Sequence, residues 1–478
     1  MADVRKLVLS AMLAGAFLAT AAAGDDTLPA DVVAKPWTGD LDGMTERRLI
    51  RALVPYSKTL YFVDRGTQRG LAYEYMAEFE AVLNAKRKSG NLRVNVVFIP
   101  TTRDQMLAML DSGRGDIAVV DASISDERRQ RADFSEPIAR GIKEIVVTGP
   151  TSPAIATLDD LAGKTVYVRP DSTREAHLRE LSDALVAKGL PPIDVQLAAP
   201  ELEPEDLLEM VNAGLLPAVV VNDYYGRFWK QVFTDMVVRD DLVISAANDI
   251  GFAMRKGSPL FKGELDAFLK SRSKGSAFGN ILAKKYFKDT HWVKNAANEA
   301  EMAKFRALVQ FFRKYAEEYG VDWVLMAAQG YQESRLDQSV RSPVGAIGVM
   351  QVMPATGKDM AVGDIGITEN NIRAGIKYIR FVMDNFYADE AMDQKNKMLF
   401  AFASYNAGPG RISGLRRQAA ARGLDPNRWF NNVEQLASEK IGRETVQYVS
   451  NIYKYYIAYT LAQQQVEKRN AARDATKT

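Results

Sequence analysis

The chain has 478 residues, 47% of them apolar and 26% charged, with 62 basic against 60 acidic side chains and no cysteine. That length exceeds one ordinary core and points to two or three domains, while the apolar content excludes wholesale disorder. The near-neutral balance, without any basic block, argues against nucleic acid as a partner, and the missing cysteine excludes disulfides.

The N-terminus reads as a secretory signal. Arg5 and Lys6 make a basic start, Leu7 to Ala19 is apolar but short for a membrane span, and Ala21-Ala22-Ala23 offers small residues for cleavage. Cleavage is expected after Ala23, so that residues 1–23 are a signal peptide and the mature protein is periplasmic; an uncleaved anchor is the alternative. Without a cysteine no thiol is present to carry a lipid. A soluble protein is expected, with at most a peripheral association with the cell wall or outer membrane.

Residues 41–288 alternate strand-like and helix-like segments. Asn95 to Ile99 and Asp116 to Val120 are short β-rich runs, and between them Thr102 to Leu110 places Met106, Leu107 and Leu110 on one helical side. Lys143 to Thr148, Thr165 to Val168 and Ala218 to Val221 continue the strand pattern. This order implies an α/β sheet with crossover helices.

Several motifs in this region are similar to those of the periplasmic solute-binding proteins that receive amino acids. They are Ser123-Ile124-Ser125-Asp126-Glu127-Arg128-Arg129, Asp133-Phe134-Ser135-Glu136-Pro137, Leu158-Asp159-Asp160-Leu161-Ala162-Gly163-Lys164, Asp171-Ser172-Thr173 and Asn222-Asp223-Tyr224. The resemblance implies two α/β lobes closing on a ligand. Arg128 would grip a carboxylate, a task that suits a planar guanidinium with two parallel donors. Asp223 would receive an ammonium group, and Ser123 and Thr173 would supply further hydrogen bonds. The run Gly70-Leu71-Ala72-Tyr73-Glu74 departs from the family's usual Gly-Phe-Asp-like segment, so a peptide or wall fragment is an alternative to a free amino acid.

Asn298 to Tyr319 reads as one amphipathic helix carrying Met302, Phe305, Leu308, Val309, Phe312 and Tyr315 at three- and four-residue steps. No Gly/Ser-rich or Pro-rich linker separates it from the preceding region, which predicts a structured joint. Residues 289–478 are helical by pattern throughout. Asn371 to Phe386 has Ile372, Ile376, Ile379 and Met383 on one stripe, and Lys397 to Tyr405 and Thr445 to Leu461 are helical too. Asp322 is a plausible N-cap for the helix that ends near Glu333. Gly330, within that helix, suggests close approach of a sugar or tight helix packing.

Four ordered motifs then carry a second resemblance: Tyr331-Gln332-Glu333-Ser334-Arg335, Ser342-Pro343-Val344-Gly345-Ala346-Ile347-Gly348-Val349-Met350-Gln351, Ala403-Ser404-Tyr405-Asn406-Ala407-Gly408, and Glu444-Thr445 with Tyr448-Val449. Together they resemble the catalytic domain of soluble-lytic-transglycosylase-type enzymes, which cut peptidoglycan glycan strands. The whole layout is similar to membrane-bound lytic transglycosylases that carry a solute-binding module. The fold expected is therefore multidomain: an α/β two-lobed periplasmic-binding-protein-like module, then an all-α lysozyme-like domain.

Cleaving a glycosidic bond needs a proton on the leaving oxygen, which a desolvated carboxylic acid can supply. The resemblance implies that Glu333 plays this part alone and returns as base to the muramic acid C6 hydroxyl, giving a 1,6-anhydro end without water. It also implies that Ser342 lies near the acid, that Gln351 contacts substrate, that Tyr405 and Asn406 hold the sugar, and that Tyr448 lines the site. Glu444, in the last motif, is read as a stabiliser of its helix. If a second carboxylate acts, Asp337 and Asp359 are the candidates. His177 and His291 match no catalytic pattern. No metal-ligand cluster, Walker loop or dinucleotide motif occurs, so neither metal nor cofactor is expected. The alternatives are a lysozyme-type hydrolase, and a non-catalytic receptor for glycan or amino acids.

Overall fold

The computed structural model describes residues 35–64, 67–272, 276–287, 299–388 and 391–475. The signal segment 1–23 with its cleavage position, His291 and Asn298 lie outside the described residues.

Among the described residues eleven strands belong to the first module: β1 (Leu49–Val54), β2 (Phe62–Asp64), β3 (Thr67–Arg69), β4 (Asn95–Pro100), β5 (Ile117–Ser123), β6 (Ala132–Phe134), β7 (Ala139–Thr148), β8 (Thr165–Val168), β9 (Asp194–Leu197), β10 (Ala218–Asn222) and β11 (Val237–Arg255). Nine form one sheet in the order β4-β1-β5-β11-β7-β10-β8-β9 with β6 on β11, while β2 and β3 make a separate hairpin. In the first lobe β1 pairs in parallel with β4 and β5. In the second, β8 runs parallel to β9 and β10. Helices cover these strands on both faces, so β10 is buried along its whole length and reads as an unbroken apolar run.

The lobes are joined by β7 and β11. The chain enters the second lobe along β7 and returns along β11, which pairs with β7 over Val237 to Ile250 and with β5 and β6 over Ile250 to Arg255. Their ladder shifts register four times. Such irregularities bend and twist a strand pair, as a connection between two lobes requires.

The second module is helical: Glu299–Tyr319, Trp323–Ser334, Pro354–Asp359, Thr368–Phe386, Gln394–Ala407, Pro409–Ala421, Glu434–Lys440 and Arg443–Ala475. The stripe of Ile372, Ile376, Ile379 and Met383 is buried as the periodicity predicts. Gly330 is explained by packing: a Cβ there would lie 2.9 Å from Phe312 Cζ and 3.1 Å from Met350 Sδ.

The modules share one continuous apolar core, which runs from Ile50 and Phe98 of the first lobe to Leu399 and Ile452 of the helical module. The helix Arg443–Ala475 packs along β4, the outer strand of the sheet, and so covers an edge that would otherwise be open. Polar contacts fasten the seam. Arg48 donates to Asn431 and pairs with the buried Glu434, Asn91 donates to the Ser438 carbonyl, and Lys454 meets Glu80 at 2.8 Å. Farther along the same helix, Arg473 reaches the second lobe, 2.8 Å from Glu209.

Glu434 is 1% exposed and its partner Arg48 13%, so removing one charge strands the other. Glu434→Gln should destabilise the protein by roughly 3 kcal/mol. Urea denaturation followed by tryptophan fluorescence checks this; an unchanged midpoint would show the seam to be indifferent to the pair.

Candidate active site

The helix Trp323–Ser334 starts as predicted. The Asp322 carboxylate accepts from the Val324 and Leu325 amides at 2.8 and 3.2 Å, and its other oxygen accepts from the Tyr456 hydroxyl at 2.6 Å. The helix stops at Arg335 and Leu336, both at positive φ, so Glu333 stands in the last turn where the chain reverses.

Glu333 is half-buried in a pocket of about 470 Å³ that it lines with Gln332, Asn406, Glu444, Gln447 and Tyr448. Burial pushes its carboxyl up to about 7, and the nearby charge of Glu444 adds to the rise. The Tyr448 hydroxyl opposes it by donating to Glu333 Oε1 at 2.5 Å. That hydroxyl in turn accepts from Gln329 Nε2 at 3.1 Å. Gln329 sits one turn before the acid, so a single helix supplies both ends of the relay.

The glycine-containing loop is built against this helix. Ser334 Oγ donates to the Val349 carbonyl at 2.8 Å. Buried Asn371 accepts from the Met350 amide and donates to the Ile347 and Ile365 carbonyls. Gly348 holds φ +76° with the Gln338 amide where a Cβ would stand.

Of the residues expected to touch substrate, Tyr448 and Asn406 line the pocket with Glu333. Asn406 Oδ1 accepts from Thr445 Oγ1 at 2.6 Å, which fixes how its amide faces the pocket. Tyr405 lies behind: its hydroxyl donates to the Met350 carbonyl at 2.7 Å and its ring meets Tyr378 edge-on. Two further expected residues are engaged within the loop. Gln351 turns its amide back onto the Gly348 and Val340 carbonyls, and Ser342 Oγ accepts from the Ala346 amide. Both shape the loop, and neither lines the pocket over Glu333. Asp337 and Asp359 are also away from it: Asp337 accepts from the Ser339 amide and hydroxyl, and Asp359 is exposed on its short helix. The second carboxylate facing this pocket is Glu444.

The first module has its own cleft, of about 640 Å³, between the lobes. Ser123, Arg128 and Thr173 all line it. Arg128 donates to the Asp171 carbonyl at 2.6 Å, and the Ser123 and Thr173 hydroxyls meet at 2.9 Å across the lobes. Thr173 also donates to the buried Glu144, which contacts His177 Nδ1 at 2.6 Å. Asp223 is the exception. It opens a short helix, pairs with Arg227 at 2.9 Å and is not among the lining residues, so its local charge partner has claimed it. Glu74 is likewise engaged elsewhere, by Lys285 and the Tyr286 hydroxyl.

A charged network that sequence reading missed closes the floor of this cleft. Arg103 of the first lobe donates to Asp121 at 2.7 Å and to Glu203 of the second at 3.0 and 3.1 Å. Arg169 also bonds Glu203, and the Tyr224 hydroxyl donates to Asp121. Burial works against the Glu203 charge, but Arg103 and Arg169 hold its carboxyl below the usual range.

Residues 310–426 match the family model of the Transglycosylase SLT domain, and residues 52–289 that of Bacterial extracellular solute-binding proteins, family 3. The membrane-bound lytic murein transglycosylase F of Desulfosudis oleivorans is 30% identical over 416 residues, covering 83% of this chain and 86% of that protein. The chain belongs to the membrane-bound lytic murein transglycosylase F family. A second member, from Pseudomonas fluorescens, is 27% identical over 459 residues, covering 91% of this chain and 89% of its own. Among solved structures, an ancestral arginine-binding protein bound to glutamine aligns with 50% of this chain and 98% of its own, at 21% identity and a TM-score of 0.41. Glu444 and Tyr448 lie beyond the transglycosylase match, so the pocket of this chain is completed from the helix Arg443–Ala475 outside it.

The pocket's electrostatics make opposite predictions for two variants. The Tyr448 bond favours the ionised acid, so Tyr448→Phe should raise the Glu333 pKa above 7. The Glu444 charge disfavours ionisation, so Glu444→Gln should lower it. Shifts of about one unit, or 1.4 kcal/mol, are expected in each direction by carbon NMR titration of labelled glutamate. Shifts of the same sign would refute this account.

Proposed function

We propose that this chain cuts peptidoglycan glycan strands as a lytic transglycosylase, with Glu333 as the only catalytic acid and base. The observation that carries the reading is the half-buried carboxyl of Glu333, raised to about 7 in an open pocket. A carboxyl raised toward neutrality can both give a proton and take one back, as a group with both duties needs.

Protonated Glu333 gives its proton to the glycosidic oxygen as the bond to C1 of N-acetylmuramic acid breaks. The resulting carboxylate then takes the proton of that sugar's C6 hydroxyl, whose oxygen closes onto C1. The product is a 1,6-anhydro end, and no water is consumed. Attack from within the same sugar profits from proximity, which replaces a positioned nucleophile. Tyr448 holds one carboxyl oxygen and leaves the other for substrate. Asn406 is placed for the N-acetyl groups, while Ser342, Gln351 and Tyr405 act through the loop they brace. We assign the binding module to residues 41–288 and the catalytic domain to 289–478.

Glu444 favours a second reading. A carboxylate on the same pocket could direct water to C1, which would make the protein a hydrolase of the lysozyme type. Mass spectrometry of digested peptidoglycan separates the two. The expected products are lighter by one water than hydrolysed fragments, and Glu333→Gln should lose at least about a hundredfold in rate. Reducing ends would mean the hydrolase; no cleavage with binding retained would mean a receptor. The rate should also fall as pH rises through about 7, where the acid loses its proton.

The binding module we read as regulatory, taking an amino acid or muropeptide in the interlobe cleft through Arg128, Ser123 and Thr173 in the periplasm. No helix among the described residues is long and apolar enough to cross a membrane. A lytic rate that stays constant across amino acids and muropeptides at saturating concentration would remove the regulatory role.

A further inference from the structure

Gln329 is wholly buried, in a helix whose preceding residues Val324, Leu325, Met326, Ala327 and Ala328 are all apolar and buried. A side chain that only filled space there would be apolar too, because an enclosed amide costs stability wherever it is not fully bonded. This amide is not fully bonded. Its Nε2 donates to the Tyr448 hydroxyl at 3.1 Å, while its Oε1 is sealed from solvent without a hydrogen-bond partner. Turning the amide over would strand two N–H donors where one carbonyl now stands, and an orphaned buried N–H is the costlier of the two. Nε2 therefore faces the tyrosine.

That orientation decides where the tyrosine hydrogen points. A phenolic hydroxyl has one hydrogen to give. With a donor on the Gln329 side, the acceptor left to it is Glu333 Oε1, at 2.5 Å. Burial pushes the Tyr448 hydroxyl well above its usual pKa and the Gln329 bond pulls the other way, and a hydroxyl polarised in this sense is the stronger donor. Oε1 of the acid thus already accepts a hydrogen, and a proton placed on it would meet the tyrosine hydrogen head-on. Oε2 accepts no bond among the described residues and is not sealed away, and Glu333 lines the open pocket. The other titratable groups facing the acid are Glu444, on the helix that carries Tyr448, and Tyr405 from Gln394–Ala407. Neither bonds Glu333, and Tyr405 spends its hydrogen on the Met350 carbonyl.

We propose that Gln329 is a positioning residue of the reaction: it aims the Tyr448 hydrogen at Glu333 Oε1 and thereby keeps the transferable proton on Oε2, the oxygen open to the sugar. Once that proton has passed to the glycosidic oxygen, Oε2 is free to take the proton of the C6 hydroxyl. Both steps then use one oxygen, and the carboxyl need not rotate between them. The inference rests on the reading of Glu333 as acid and base.

Carbon NMR titration of labelled glutamate in the full chain gives the Glu333 midpoint for the wild type, Gln329→Met, Tyr448→Phe and the double variant, beside kcat and KM for peptidoglycan digestion. Gln329→Met nearly keeps the volume and removes both polar groups. It should raise the midpoint by roughly 0.3 unit or more, yet by less than Tyr448→Phe does. It should also lower kcat at least about threefold with KM held within about twofold. In the Tyr448→Phe background the same substitution should move neither midpoint nor kcat, because its effect passes through the hydroxyl. Gln329→Leu repeats the comparison with a different shape, so that a folding defect in one variant does not decide the result. An unchanged midpoint in the folded variant, or an equal shift with the Tyr448 hydroxyl absent, would overturn the proposal and leave Gln329 a packing residue. The midpoints are read without turnover. Shifts that vanish in Tyr448→Phe, with no digestion by the wild type, would keep the relay and sink the enzyme reading; anhydro products without any shift would sink the relay alone.

Discussion

The structure depends on the packing of one helix, Arg443–Ala475, against everything else. Its first turns bring Glu444, Gln447 and Tyr448 to the acid. Its middle covers β4 and pairs Lys454 with Glu80 of the first lobe. Its end carries Arg473 to Glu209 of the second lobe. A helix of 33 residues spans about 50 Å, so one element carries all three sets of contacts. The acid-bearing helix meets the first module as well: the Tyr331 hydroxyl donates to Thr67 Oγ1 of the β2–β3 hairpin at 3.0 Å. Tyr331 is two residues from Glu333, so the module boundary and the catalytic centre occupy opposite faces of one helix.

Within that frame the acid obtains its properties from desolvation rather than from a dedicated partner. A carboxyl at the last turn of a helix, half out of water and facing another carboxylate, resists ionisation. One tyrosine hydroxyl limits the effect, so the group titrates near neutrality instead of being locked neutral. The loop around it is rigid because its own polar groups are spent internally: Ser334, Asn371 and Gln351 satisfy backbone groups that would otherwise face the apolar core.

The binding module shows the same economy. Its lobes meet through Arg103, Asp121, Glu203 and Arg169, a largely buried network on the cleft floor in which each charge has an opposite neighbour. Ser123 and Thr173 join across the cleft above it. The second lobe is tied to the helical module by Arg473 and to the first lobe by these bonds, so lobe and catalytic domain share their constraints.

Local chemistry was readable in the residue order. Apolar runs located β4, β8 and β10, a 3.6-residue stripe located Thr368–Phe386, Asp322 announced a helix start, and four ordered motifs singled out Glu333. The long β11 escaped because the polar pairs Asp240-Asp241 and Asn248-Asp249 interrupt its apolar pattern. The direction of side chains escaped too. Gln351 Nε2 donates to the loop's own carbonyls, Ser342 Oγ accepts from the Ala346 amide, and Asp223 pairs with Arg227 four residues on. What a motif cannot contain is the environment of its own members. The rise in the Glu333 pKa is limited by Tyr448, 115 residues later, and the lobes meet through Arg103 and Glu203, 100 residues apart. Burial and long-range charge pairing exist only once the chain is packed, because they are set by which distant residues exclude water from one another.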